Sequence, residues 1–208
     1  METKLLNQDW KEIWSIELNE LVFNSEVDNG LIHRALVYQL ANARQVVAHT
    51  KTRWERNWST RKLYKQKWTG RARVWSARSP VRRKWWVAFG PRNNANFAVS
   101  MNKKERRLAL FSLLSSKVRD NKLLVVDSIN LPEIKTKNMV SIIGKLPYEK
   151  SILLATPTKN QNIEKSSSNI PNVKTLLVDY LNIADLLKYN TLILVKESVE
   201  KLNSLNLK

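Results

Sequence analysis

The stretch "KLLVVD", residues 122–127, is a continuous apolar run of strand length that ends at an acidic residue. Three further runs of this kind follow it: "SILLAT" (151–156), "VKTLLVD" (173–179) and "TLILVK" (191–196). Helical patterns lie among them, at "TKNMVSIIGKL" (136–146) and "NIADLLKY" (182–189). Apolar runs alternating with helices are typical of buried parallel strands joined by crossover helices. The sequence therefore predicts an α/β fold in which both faces of the sheet are covered.

Two longer helical patterns precede these strands. "LIHRALVYQLANAR" (31–44) places its apolar residues on one helical face, and so does "KKERRLALFSLLSSKVRDN" (103–121). Asn102 is a plausible N-cap for the second helix. The first turn of that helix is basic, which opposes the helix dipole, and a phosphate contact would compensate the cost.

The segment between the two helices has a different composition. Residues 44–92 carry 15 basic side chains and one acidic side chain, Glu55, in a chain whose net charge is +18. The segment has neither the helical nor the strand period of apolar residues, so we expect an extended arm rather than a packed element. Its charge makes nucleic acid the expected partner. A solvated, disordered basic tract is the alternative interpretation.

Signatures of common enzymes are absent from the sequence. It has no cysteine, no G-x-G-x-x-G and no G-x-x-x-x-G-K-[ST], and its four glycines could not rebuild either phosphate loop. Asp127 and Asp179 end predicted strands, where they more often cap or accept hydrogen bonds than catalyse. His33 is interpreted as structural and His49 as an RNA contact. We predict no enzymatic activity, no cofactor and no metal, and expect a soluble, cytosolic protein because no signal peptide or membrane span is evident.

The arm segment "KTRWERNWSTRKLYKQKWTGRARVWSARSP" (51–80), then "FGPR" and "NKKERRLAL", resembles the bacterial L-four family of large-subunit ribosomal proteins. The resemblance extends over nearly the whole chain. It implies a three-layer α/β/α domain with a mainly parallel sheet and a long extended internal basic arm. The expected organisation is a single domain, 1–208, with residues 45–100 as the rRNA-binding arm.

The resemblance also implies the partners. They would be 23S-type rRNA, neighbouring large-subunit proteins and the nascent peptide, because the arm tip, near residues 61–73, would help to line the peptide exit tunnel. The protein would act in the cytoplasmic ribosome and assist subunit assembly. The predicted RNA-binding residues are Arg44, Lys51, Arg53, Arg61, Lys62, Lys65, Lys67, Arg71, Arg73, Arg78, Arg82, Arg83, Arg92, Lys103, Lys104, Arg106 and Arg107.

Two other classes of function are compatible with a basic α/β protein. One is an RNA-modifying enzyme with a basic substrate arm, which would need a cofactor loop that the sequence does not contain. The other is a free nucleic-acid-binding protein or nucleoid factor, which would sediment with DNA instead of ribosomal particles.

The eight tryptophans stand where members of this family typically carry glycine, as at Trp68 in "KWTGRAR". Glycine reaches positive φ without strain and lets the backbone approach RNA closely, whereas tryptophan does neither. We hypothesise that the gene uses UGA for glycine and that the sequence was translated with UGA as tryptophan. The alternative is a tryptophan-rich arm whose indoles stack on bases, each worth about 1–3 kcal/mol.

Overall fold

The computed structural model describes residues 1–82, 86–146 and 151–204. The chain divides into two compact units. The first unit combines Met1–Asn42 with Val99–Lys208, and the second unit is Ala43–Ala98. Arg83, one of the predicted RNA-binding residues, and Trp85 lie outside the described residues.

The first unit is built on a six-stranded sheet with the strand order β2-β1-β3-β6-β4-β5. The strands are β1 (Glu2–Leu6), β2 (Glu12–Glu17), β3 (Leu123–Val126), β4 (Ile152–Thr156), β5 (Val173–Leu177) and β6 (Thr191–Val195). All neighbours pair in parallel except β1 and β2, which form an antiparallel hairpin. The mainly parallel sheet of the sequence analysis is confirmed.

The described residues also form seven α-helices. They are α1 (Glu20–Phe23), α2 (Asn29–Ala43), α3 (Lys103–Arg119), α4 (Thr136–Ile143), α5 (Gln161–Ser167), α6 (Ile183–Lys188) and α7 (Lys196–Asn203). A 3₁₀ turn at Val178–Tyr180 follows β5. Within the described residues, none of these helices has the length and apolarity that crossing a bilayer would require.

Successive side chains of the central strands enter two different hydrophobic clusters. Val125 of β3 and Leu153 of β4 belong to the cluster that contains residues of α1, α2 and α3. Their neighbours Val126 and Leu154 belong to the cluster that contains Met139 of α4 and Ile163 of α5. Because consecutive strand residues point to opposite faces, each face of the sheet has its own helical layer. The α/β/α layering is therefore confirmed, and it explains why these strands read as continuous apolar runs.

Asn102 occupies the N-cap position of α3, as predicted, but the capping hydrogen bond expected from its side chain is not formed. Asn102 has the extended conformation of a cap residue, yet its side chain makes no capping hydrogen bond. Asn19, Asn160 and Asn182 do cap their helices, each accepting from a backbone N–H of the first turn. The Asn102 side chain therefore does not satisfy any of the first-turn N–H groups of α3.

Ser112, on α3, holds the start of α2 in place. Its side chain is fully buried, its hydroxyl accepts from the Asp28 N–H at 2.8 Å, and it donates to the Glu26 carbonyl at 3.0 Å. Ser112→Ala would leave both backbone groups without this partner, so we expect a loss of about 1–3 kcal/mol of unfolding free energy. Denaturant unfolding of the full chain measures the loss. Ser116→Ala, at a half-buried position on the same helix, is the matched control, and an equal loss in both variants would contradict the assignment.

Candidate nucleic-acid interface

The second unit has almost no regular structure. Residues 44–82 and 86–98, which are the described part beyond α2, contain neither helix nor strand. The lack of apolar period in the sequence predicted this. The exposed backbone and short polar contacts of such a segment suit it to follow a folded RNA surface rather than to pack a core of its own.

The outgoing and returning stretches of the second unit meet at Thr50 and Pro91. The Thr50 N–H donates to the Pro91 carbonyl at 2.9 Å, and Arg92 Nη1 donates to the Thr50 carbonyl at 3.1 Å. The approach is so close that a Cβ on Gly90 would lie 1.9 Å from Thr50 Oγ1. A side chain at position 90 would therefore force Thr50 to move and would disturb the hydrogen bond from its hydroxyl to the Pro91 carbonyl.

A second set of contacts joins the middle of the unit. The Arg78 guanidinium donates to the Trp58 carbonyl, and Arg82 Nη2 donates to the Tyr64 hydroxyl at 2.6 Å. The rings of Trp58 and Trp86 meet edge to face with centroids 6.4 Å apart. These contacts give the segment a defined local shape with only a few buried side chains.

Most of the predicted RNA-binding side chains are exposed to solvent. The exposed ones are Arg44, Lys51, Arg61, Lys65, Lys67, Arg71, Arg73, Arg82, Lys103, Lys104 and Arg107. Arg53, Lys62, Arg78, Arg92 and Arg106 are half-buried. Between residues 44 and 92 these cations have one acidic residue among them, Glu55, so that segment has a strongly positive surface.

That one acidic residue is itself neutralised within the unit. Both carboxylate oxygens of Glu55 accept from Arg92, at 2.7 and 2.6 Å, and Oε2 also accepts from the Thr52 N–H at 2.8 Å. The pKa of Glu55 is lowered from 4.5 to about 2, mainly by the hydrogen bonds from Arg92. Arg92 therefore has a structural contact, and the sequence between residues 44 and 92 contains no second carboxylate to balance the other cations.

Glu55→Gln should loosen the junction around Thr50. The pKa of Glu55 is lower in the folded chain, so the ion pair contributes fully above pH 4.5 and its contribution is lost as the pH falls through about 2. At neutral pH we expect faster amide hydrogen exchange at Thr50 and Thr52 in the variant, measured by NMR or mass spectrometry. Glu197→Gln, an exposed change on α7, should leave those amides unaffected. Unchanged exchange in Glu55→Gln would contradict the structural role.

Several side-chain contacts near the predicted RNA-binding residues were not predicted from the sequence. Arg56, absent from the predicted set, is half-buried, and its guanidinium lies 5.7 Å from the centre of the Trp86 ring. His49, interpreted as an RNA contact, accepts through Nδ1 from the Asn93 N–H at 3.4 Å. Arg106, in the first unit, donates to the Tyr38 hydroxyl at 3.1 Å. Partners this distant in sequence leave no local pattern that could have revealed them.

Two tryptophans have backbone conformations that favour glycine. Trp10 has φ 62° and Trp68 has φ 68°, close to the 62° of Gly70. The other described non-glycine residues with positive φ are Asn121 and Asn172, and asparagine tolerates this region far better than a bulky residue does. Trp10 does make a contact, because its Nε1 donates to the Ile142 carbonyl at 2.8 Å. Trp68 is completely exposed.

The carboxylates at the strand ends do not form a pair. Asp127 follows β3 and Asp179 follows β5, and β6 and β4 lie between those strands. Three strand spacings correspond to about 14 Å. Among the described residues, no group of histidine, aspartate or glutamate side chains could hold a metal ion.

Comparisons with known proteins place these features in a family context. The profile described as the ribosomal protein L4/L1 family matches residues 16–205. The large ribosomal subunit protein uL4 of Lachnospira eligens is 46% identical over 196 residues, covering 94% of each chain. The uL4 protein of Desulforamulus reducens is 45% identical over 198 residues, covering 95% of each. That of Dehalococcoides mccartyi is 41% identical, covering 99% of this chain and 97% of its own.

Proposed function

This chain belongs to the ribosomal protein L4/L1 family, and on that premise we propose that the exposed cations of its second unit and of the first turn of α3 bind 23S-type rRNA. The chain is a structural constituent of the large ribosomal subunit and not an enzyme. Its place is the cytoplasmic ribosome, where its partners are rRNA and neighbouring ribosomal proteins.

The observation that carries the proposal is the charge of the second unit. Its single carboxylate between residues 44 and 92 is neutralised by Arg92, so nothing within that stretch compensates the exposed cations. Each phosphate that a lysine or arginine neutralises releases condensed counterions, and this release drives binding. The planar guanidinium groups can also stack on unpaired bases. Specificity then comes from the fit of an irregular segment to folded RNA.

Finer features of the role follow from the same arrangement. We propose one domain, 1–208, with residues 45–100 as the rRNA-binding arm. We propose that residues 61–73 form the arm tip, close to the nascent peptide in the exit tunnel. Arg61, Lys65 and Lys67 are exposed there. Because the arm has little core of its own, binding would order it further, which is how the chain would assist subunit assembly.

A competition assay tests the proposal. The full chain is bound to a large-subunit rRNA transcript and challenged with equal nucleotide amounts of either the same transcript unlabelled or duplex DNA. We expect the rRNA to displace the chain at much lower concentration than the DNA, because irregular folded RNA offers the matching surface. Equal displacement by DNA would instead favour the nucleoid-factor interpretation.

A further inference from the structure

The first unit contains a cleft that is lined by none of the residues of the basic arm. It has a volume of about 670 Å³ and opens between α2, the first turn of α3 and the start of α6. Volumes of a few hundred cubic ångströms are typical of sites that take one small organic group. The cleft is therefore large enough for a single nucleobase with its sugar.

The cleft has an apolar floor and a cationic rim. Ala35, Leu110 and Ile183 form the floor, and the rim includes Lys103 and Arg107. Both of those rim side chains are exposed. None of the described residues that line the cleft is acidic. A surface with this charge repels the basic extensions of other proteins and attracts a polyanion.

Arg106 is held inside the cleft by an aromatic neighbour. Its guanidinium donates to the Tyr38 hydroxyl at 3.1 Å and lies 5.3 Å from the centre of the Tyr38 ring. The Arg106 Nε atom is buried and has no hydrogen-bond partner in the part of the chain that the structure describes. A buried donor without a partner is costly, so an acceptor supplied by a ligand would stabilise the site.

The wall opposite is fixed by amide hydrogen bonds. Gln39 Nε2 donates to Asn182 Oδ1 at 3.1 Å, and Gln39 Oε1 accepts from the Ala184 N–H at 3.1 Å. Asn182 in turn caps α6 through the Asp185 N–H. These bonds tie α2 to the start of α6, so the cleft is formed before anything binds. Such pre-organisation lowers the entropic cost of binding.

We propose that this cleft takes one unpaired nucleotide of the rRNA, with its base against the apolar floor and its phosphate at Lys103 and Arg107. The inference rests on the proposed function, because it requires the chain to lie on rRNA. Unpaired bases splayed from folded RNA are commonly recognised by stacking and edge hydrogen bonds. The first-turn N–H groups of α3, which the Asn102 side chain does not cap, and the lysines and arginines around them suit a phosphate at the same end.

Photocrosslinking in assembled subunits tests the cleft directly. The full chain carries benzoylphenylalanine in place of Tyr38 and is reconstituted into large subunits. Entry into the subunit is measured first, by sedimentation, and the crosslinked partner second, by primer extension and mass spectrometry. We expect one rRNA nucleotide to be crosslinked. The same label at Val140, an exposed position on α4, should not give that crosslink.

Two charge variants sharpen the test. Lys103→Ala/Arg107→Ala should abolish the Tyr38-site crosslink, whereas Lys159→Ala/Lys165→Ala, which removes the same charge from exposed positions near α5, should preserve it. A subunit that contains the chain but shows a crosslink to protein, to many nucleotides or to none overturns the cleft proposal and leaves the proposed function standing. An unlabelled chain that fails to enter subunits overturns the proposed function itself.

A second measurement covers the case in which the label alone blocks entry. Subunits with the unlabelled chain are probed with dimethyl sulfate. We expect one base to be protected in the unmodified chain and reactive with Lys103→Ala/Arg107→Ala. If the two reactivity patterns are identical, the proposal is wrong.

Discussion

Replacing four exposed cations of the arm by glutamine is expected to weaken the salt dependence of rRNA binding. The slope of log affinity against log salt concentration should become shallower by about four units. The four residues are Lys65, Lys67, Arg71 and Arg73, all exposed in the second unit. Each phosphate contact contributes about one unit to the dependence of log affinity on log salt. With 6–10 contacts, the unmodified chain should lose about 10³–10⁵-fold in affinity between about 50 and 200 mM salt. Filter binding over that range measures both slopes.

The matched control changes charge elsewhere by the same amount. It replaces four exposed lysines of the first unit by glutamine, namely Lys137, Lys159, Lys165 and Lys196. Both variants lose four positive charges, so a slope governed by net charge alone would fall equally in both. We expect the control to keep nearly the slope of the unmodified chain. Equal slopes in the two variants would contradict an interface centred on the second unit.

In large subunits purified from the source cells, this chain is expected to carry glycine at position 68. Trp68 has a φ of 68° and is completely exposed. The left-handed conformation costs a residue with a side chain about 1–2 kcal/mol, and no burial of the indole offsets that cost. The same conformation occurs at Trp10. Glycine removes the strain at both positions, which supports the hypothesis that UGA encodes glycine in this gene.

Peptide mass spectrometry of the segment from Gln66 to Arg71 decides the question. A mass corresponding to glycine at 68 supports recoding at all eight tryptophan positions. A mass corresponding to tryptophan refutes the recoding. The indoles, including exposed Trp54 and Trp75, would then be available to stack on bases. The ribosomal role holds in either case.

The buried strands were predictable because packing on both faces leaves a direct trace in the sequence. β3, β4 and β6 coincide with continuous apolar runs. The β1–β2 hairpin was missed because β2 lies at the sheet edge and is mostly exposed. Its pairing even places Glu2 opposite Glu17, a like-charge pair that local patterns do not favour. The hairpin is held both by pairing of β1 with β3 and by local hydrogen bonds from the Asp9 and Lys11 N–H groups to Asn7 Oδ1.

The basic composition of the interface could be predicted from the sequence, but the contacts among its side chains could not. Charge counting identified the stretch between the helices and nucleic acid as its partner, and the resemblance narrowed that partner to 23S-type rRNA. The pairing of Glu55 with Arg92 across 37 positions, and of Arg106 with Tyr38 across 68, depends on how the backbone returns on itself. At Asn102 the sequence instead suggested a contact that does not form. A residue of capping type occupies the cap position, but its side chain makes no capping hydrogen bond.

The central claim is that this chain binds rRNA within the large subunit through its basic segment. The most direct measurement is ultraviolet crosslinking of large subunits purified from the source cells, followed by mass spectrometry of the RNA-linked peptides. We predict RNA-linked peptides from residues 61–82 and one copy of the chain per subunit. A chain absent from the subunits and recovered with DNA, with no RNA-linked peptide from that segment, would contradict the account.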